Sequence, residues 1–314
     1  MNGKGSSKLG TMISLALILP ITLLVIPASA APTQGPPETT HGYSIFDETI
    51  VDMTWPEVEK AAKEEAIVLF PTAVIEEHGP HMALGVDTYL AYIKCKLIRR
   101  KLESRGVQTI IAPPFYWGIN NNSGGFPGSF TVRRETMRAV LHDTLACFER
   151  WGFNYVFVIN HHGDLTHNRT ILEAVEEARI NTGVRAYFIL RTFDARVIYR
   201  LTGKEYHVLL IPMKEEPGPR PKYLDIHAGG GETGMMAYYF PDQVDLELAR
   251  KLKSTDLIFK DLWEWDPGWS DARKITPLGY FGDPASFDSH EGKEKIEEYA
   301  TSVADLIAEF LKKR

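Results

Sequence analysis

The sequence predicts an α/β fold: a single domain whose mostly parallel sheet is flanked by helices on both faces. Three observations carry this. Apolar runs of strand length recur at 66–75 (AIVLFPTAVI), 109–115 (TIIAPPF), 155–160 (YVFVIN) and 184–190 (VRAYFIL). The first and third are nearly continuous rather than alternating, as in strands covered on both sides. Charged, amphipathic stretches of helical length separate the runs, and such alternation with right-handed crossovers builds a layered parallel sheet. The composition agrees, since 44% hydrophobic and 24% charged residues exclude wholesale disorder.

Taken in order, residues 1–30 have the three parts of a secretory signal peptide. Lys4 and Lys8 give a basic start, Met12 to Pro27 is apolar except for Ser14 and Thr22, and Ala28-Ser29-Ala30 offers small residues for cleavage. The apolar run is shorter than the roughly 20 residues that span a bilayer. An uncleaved membrane anchor is the rival reading. The cleavage point has no Cys and the start has no Arg-Arg pair, which argues against a lipoprotein and a twin-arginine signal. The expectation is an exported protein, periplasmic or secreted, without stable membrane association after cleavage. Residues 31–51 read as a linker, rich in Pro and Thr over 31–40. The domain then runs over 52–314.

Within it, a helix over 55–65 begins at Thr54 as N-cap with Pro56 in the first turn. Further helices are expected over 88–103, 134–151, 167–180 and 291–312. Residues 193–221 carry several Arg, Lys and Glu residues and end in EEPGPRP. They read as a partly exposed flap or oligomer arm, or as a plain surface excursion. Two cysteines, Cys95 and Cys147, exclude a disulfide framework and a Cys-based zinc fold. An oxidising compartment permits them to pair, although two buried free thiols are the preferred reading. The net charge of −6 argues against a general nucleic-acid binder.

In open α/β sheets, sites gather at the carboxyl ends of strands, and there the polar clusters fall. Glu76-Glu77-His78-Gly79-Pro80-His81 and then Asp87 follow the first strand; Asn160-His161-His162-Gly163-Asp164 follows the third. A later cluster runs Asp225-Ile226-His227-Ala228-Gly229-Gly230-Gly231-Glu232-Thr233. Glu76 and His78, two apart in an extended segment, point to the same side. Oxygen and nitrogen donors without thiolate suit Zn, Mn or Fe. The bland alternative is a set of solvated loops.

These segments, in order, resemble the creatininase (creatinine amidohydrolase) family. Glu76 to His81 with Asp87 resembles its Glu-Gln-His-Gly-Pro-His…Asp signature. Thr54-Trp55-Pro56-Glu57 resembles its opening, Phe126-Pro127-Gly128-Ser129 its Phe-Pro-Gly-Thr turn, and Asn160 to Asp164 its Asn-Gly-His segment. His227-Ala228-Gly229 with Glu232-Thr233 resembles its His-Ala-Gly…Glu-Thr segment, and Gly279 with Gly282-Asp283-Pro284 a late Gly…Gly-Asp-Pro. The resemblance implies a creatininase-like fold, hydrolysis of C–N bonds, two divalent metal ions per chain (Zn, Mn or Fe) and a homo-oligomer, a hexamer. Carried over by position, Glu76 and His162 bind one ion with Asp87 as the bridge. His78 and Asp164 bind the other. Some relatives have Gly at the position of Asp164 and use the Glu that corresponds to Glu232. Asp164 also reads as a cap of the helix that follows it.

A close ion pair activates water and polarises an amide carbonyl. His227 is then the candidate proton shuttle for the leaving amine, or a histidine that orients a ligand. His81 and His161 read as supporting residues, His167 as a solvated one. Creatininases proper carry Trp four residues before the catalytic His, where this chain has Tyr223. Many relatives carry His three residues before the Phe-Pro-Gly turn, where it has Ser123 after Asn120-Asn121-Asn122. Tyr223, Ser123 and Trp117 are therefore the candidate substrate-binding residues, and creatinine itself is not the favoured substrate. The expectation is an amidohydrolase acting on a small, possibly cyclic amide. A peptide or lactone hydrolase, and a non-catalytic ligand-binding protein on the same fold, are the alternatives.

Overall fold

Five short strands form the centre of the computed structural model, which describes residues 44–212 and 223–314. They are β1 (Ile67–Thr72), β2 (Thr109–Ile111), β3 (Val156–Asn160), β4 (Ala186–Arg191) and β5 (Val208–Ile211), in the order β2-β1-β3-β4-β5. Every pairing is parallel. The major helices are α1 (Trp55–Lys63), α2 (Val86–Glu103), α3 (Arg134–Arg150), α4 (Leu165–Thr182) and α5 (Gly230–Tyr239). Three short helices, α6 (Leu246–Ala249), α7 (Leu262–Trp265) and α8 (Trp269–Ile275), precede the long α9 (Ser289–Lys312). The chain divides into the units Met1–Thr40 and His41–Arg314. The expected signal segment 1–30, most of the linker 31–51 and the EEPGPRP stretch lie outside the described residues.

The two-residue period of the strands sorts the core into layers. Val68, Phe70, Val156, Val158 and Phe188 pack with Ala61, Met137, Leu141, Ile171 and Val175 from α1, α3 and α4. Ile67, Leu69, Phe157, Ile159 and Ile189 face the other way, onto Cys95 and Ile98 of α2 and Val303 and Ile307 of α9. Both faces are covered, which is why the runs read as continuously apolar. Both cysteines are free. Cys95 belongs to α2, whereas Cys147 belongs to α3 on the opposite side of the sheet, so the sheet separates them.

α1 starts as expected: the Glu57 carboxylate accepts the Thr54 backbone N–H at 2.7 Å and its hydroxyl at 2.6 Å. The last residues of the expected linker are docked, with the Tyr92 hydroxyl donating to the Asp47 carbonyl at 2.8 Å and Lys96 pairing with Glu48 at 2.7 Å.

Several elements were not anticipated, among them β5, α5 and the short helices α6 to α8. β5, together with a π-helical turn at Asp194–Ile198, occupies part of the expected flap. β5 is a half-buried edge strand of four residues, too short for its pattern to stand out. α5 opens on glycine and carries four residues that disfavour a helix or are neutral to it, Gly230, Gly231, Thr233 and Gly234. Tertiary packing overrides propensity there. A Cβ on Gly292 of α9 would lie 2.2 Å from the Gly234 carbonyl carbon, so α5 and α9 approach to a distance only glycine permits.

Candidate metal centre

β1 and β3 are neighbours, with Thr72 in register with Asn160, so their carboxyl ends deliver the following segments to one place. This is also where the strand order reverses. After β1 the chain folds back, with Glu76 N–H donating to the Leu84 carbonyl at 3.0 Å, and enters α2 two residues later. That turn brings Glu76, His78 and Asp87 together. His162 arrives from β3. Glu232 comes from the first turn of α5, and His227 from a two-residue bridge with Phe281.

The resulting cluster is tight and buried. Glu76 Oε1 and Asp87 Oδ2 each lie 2.9 Å from His162 Nδ1. Asp87 Oδ1 lies 3.4 Å and Glu232 Oε2 3.7 Å from His78 Nε2. His227 Nδ1 is 4.0 Å from Glu76 Oε1, and the His227 and His78 ring centres are 4.5 Å apart. Donor atoms fall within 4.8 Å of one another in three groups: Glu76–Asp87–His162, His78–Asp87–Glu232 and Glu76–His78–His227. The first two share only Asp87.

Outer hydrogen bonds fix which way each ring faces. His162 Nε2 meets the Ile119 carbonyl at 3.1 Å, and His78 Nδ1 meets the Glu76 carbonyl at 3.2 Å. A carbonyl only accepts, so these nitrogens carry protons, and the opposite nitrogens would present lone pairs inward once deprotonated. The Ser123 hydroxyl donates to Glu76 Oε2. The Ala228 N–H donates to Glu232 Oε2 at 2.6 Å from a left-handed backbone, φ 51°. His227 Nε2 meets the Glu77 carbonyl at 2.9 Å and its carboxylate at 3.2 Å. Inside the cluster, by contrast, His78 Nε2 and Asp87 Oδ2 are buried without a hydrogen-bond partner. Asp87 Oδ2 and His162 Nδ1 are close but not aligned as donor and acceptor. Two inward lone pairs that satisfy no hydrogen bond fit a divalent cation between them.

The charges tell the same story. Burial would raise the Asp87 carboxyl, but His162 and His78 pull it well below the usual range. Burial likewise opposes ionisation of Glu232, yet His161, His78 and His227 hold it at about 2. In return, burial would lower His227, but Glu76, Glu77 and Glu232 raise it to about 10. His162 is raised well above its ordinary value against its burial, by Glu76 and Asp87. The carboxylates thus demand positive charge, and in the free protein imidazolium protons supply it.

Of the residues the sequence singled out, Glu76, His78, Asp87, His162, Glu232 and His227 come together. Asp164 does not join them. Its two oxygens accept the backbone N–H groups of His167 at 2.8 Å and Asn121 at 2.9 Å, which makes it the cap of α4 and of the Asn120 turn. Ser123 is buried against Glu76 rather than open to a ligand. Trp117 is half exposed, with Tyr116 tilted against it and Phe130 edge-on, and does not line the cavity. Tyr223 does line the cavity, its hydroxyl donating to Asp283 at 2.9 Å. His167, expected in solvent, is fully buried and bridges the Ile119 N–H and the Asn160 side chain. Its place one turn into α4 gave no sign of this. Sequence reasoning missed Lys94, a buried ammonium that contacts His161 Nδ1, whose other nitrogen lies 3.5 Å from Glu232. Burial, with Arg191 adding to it, depresses Lys94 to about 7. A lysine in the middle of an amphipathic helix reads as a solvated one.

A cavity of about 1090 Å3 opens beside the cluster, touching Glu232, His161 and His227. Fold and site together define the class, a metal-dependent hydrolase acting on C–N bonds. The chain belongs to the creatininase family: the model described as creatinine amidohydrolase matches residues 51–307. Creatinine amidohydrolase of Pseudomonas putida is 24% identical over 267 residues, 82% of this chain and 95% of its own. The mycofactocin precursor peptide peptidase of Mycolicibacterium smegmatis is 23% identical over 242 residues, 77% of this chain and 84% of its own. A solved structure named Creatininase Mn superposes with a TM-score of 0.61 at 18% identity, covering 83% of this chain and 98% of that one, a likeness of fold.

Proposed function

We propose that this chain is an exported amidohydrolase that cleaves the C–N bond of a small amide at a dinuclear centre. The observation that carries the reading is the pair of donor groups sharing Asp87 alone. Glu76 and His162 would hold one divalent ion, His78 and Glu232 the other, and Asp87 would bridge. When bound, such ions supply Lewis acidity, lowering the pKa of water and polarising a carbonyl. Manganese or zinc suits this donor set.

The chain's own residues do the remaining work. Ser123 holds Glu76 in place through its outer oxygen. Glu77 orients His227 so that Nδ1 faces Glu76 and the His78 ring, in reach of both halves of the centre. That position suits delivery of a proton from Nδ1 to the departing amine nitrogen. Two cations would neutralise the carboxylates that now hold His227 at about 10, bringing it down into the range of a working acid.

A second reading is cleavage of a peptide bond. The cavity of about 1090 Å3 exceeds what a small ring fills, and one relative is named a peptide peptidase. Matched panels of cyclic amides, linear amides and short peptides decide between them. Export and oligomeric assembly belong to the same proposal. Cell fractionation that leaves the mature chain only in the cytoplasm would overturn the first, and a monomer by sedimentation the second.

The test of the centre is metal content per chain, by elemental mass spectrometry. Two equivalents are expected in the wild type, and both are lost, with turnover, in Asp87→Ala. Full occupancy and activity in that variant would remove the centre.

A further inference from the structure

Two cations in the wall of the cavity have no use in the chemistry above. Lys94 reaches it from α2 and is 5% exposed; Arg191 reaches it from the carboxyl end of β4. Both lie against one ring, with the Lys94 ammonium 4.6 Å and the Arg191 guanidinium 5.8 Å from the centre of Tyr299. Among the described residues no carboxylate comes within ion-pair distance of either. Lys295, the other lysine at the cavity, is already paired with Glu291 at 2.7 Å. Asp87, Glu232 and Asp194 act on these cations only from beyond ion-pair distance, and a buried ammonium with no carboxylate in contact, kept beside a second cation, favours an anion there.

The location says what the anion is attached to. One imidazole, His161, separates the Lys94 ammonium from Glu232 of the metal centre. An anion resting on Lys94 and Arg191 therefore lies a few bonds from an amide held at the centre. Asp225 lines the same cavity, so a dianion meets repulsion that a single carboxylate does not. A planar carboxylate also matches the guanidinium fork.

We infer that Lys94 and Arg191 form the specificity site of this enzyme, binding the carboxylate of a substrate whose scissile amide lies at the metal pair. The substrate class is then a carboxylate-bearing amide, such as an N-acyl amino acid or the C-terminal end of a short peptide. This rests on the hydrolytic reading for the word substrate, but the binding does not need the metals.

The test separates the two. N-benzoylglycine and its neutral carboxamide are titrated by calorimetry into the full chain stripped of metal by a chelator. The acid binds about tenfold or more tighter than the carboxamide, the scale of one or two charge-assisted hydrogen bonds. Arg191→Gln and Lys94→Met each reduce that preference to about threefold or less. Arg191 is exposed, so its variant folds whatever happens to the Lys94 variant. Equal binding of acid and carboxamide, absence of acid binding, or a preference unchanged in Arg191→Gln overturns the inference. Turnover of N-benzoylglycine by the metal-loaded chain is measured separately. Its absence, with the binding preference intact, sinks the hydrolytic reading and leaves the carboxylate site standing.

Discussion

Asp164 and Glu232 show how far a carboxylate's role depends on what already occupies its oxygens. Asp164 is saturated by two backbone N–H groups. Asp164→Ala should cost about 2 kcal/mol of stability, as a buried cap does, with metal content unchanged. Glu232→Gln should bind one equivalent less metal and lose more turnover than the about 100-fold typical of an outer partner. A metal titration of the two variants side by side checks the pair. The sequence held both candidates and could not rank them, because the ranking lies in the Asn120 turn, which is distant in sequence. Lys94 offers a pH test. Its folded-state value is about 7 against an ordinary 10.5, so between those values the unfolded chain binds the extra proton. The stability it removes is therefore greatest below about 7 and is recovered toward 10.5. Lys94→Met should raise the melting temperature of the metal-free protein most at the acid end of that window; a uniform shift would contradict the assignment.

Elements were legible in proportion to how local their causes are. Strands β1 to β4 and helices α1 to α4 and α9 follow from apolar period and caps such as Thr54, and the structure returns them within a few residues. β5 and α5 do not, because each depends on a neighbour: β5 on the edge of β4, α5 on its glycine contact with α9. The loop between α8 and α9 illustrates the same dependence at the site. Gly279 has φ +74°, and a Cβ there would lie 1.8 Å from Glu77 Oε2. Gly279→Ala should displace Glu77, loosen His227 and lower turnover about tenfold or more. Metal content should remain at the wild-type level. Loss of metal together with activity would instead place Gly279 in support of the ligands.

At the scale of the whole molecule, the centre gathers segments that the chain keeps apart. Glu76, Asp87, His162 and Glu232 come from the segment after β1, the first turn of α2, the segment after β3 and the first turn of α5. None of these elements touches the centre by more than a turn or a loop. Asp87, common to both donor groups, is where the four meet. A cation shared through it would act as a removable cross-link across long stretches of chain, restricting the unfolded ensemble as a clasp does. Persistence of the native state would then be a matter of timing as much as of energy. If release of the ion precedes opening at the carboxyl ends of β1 and β3, a chelator should shorten the life of the folded chain before it changes anything visible in its shape.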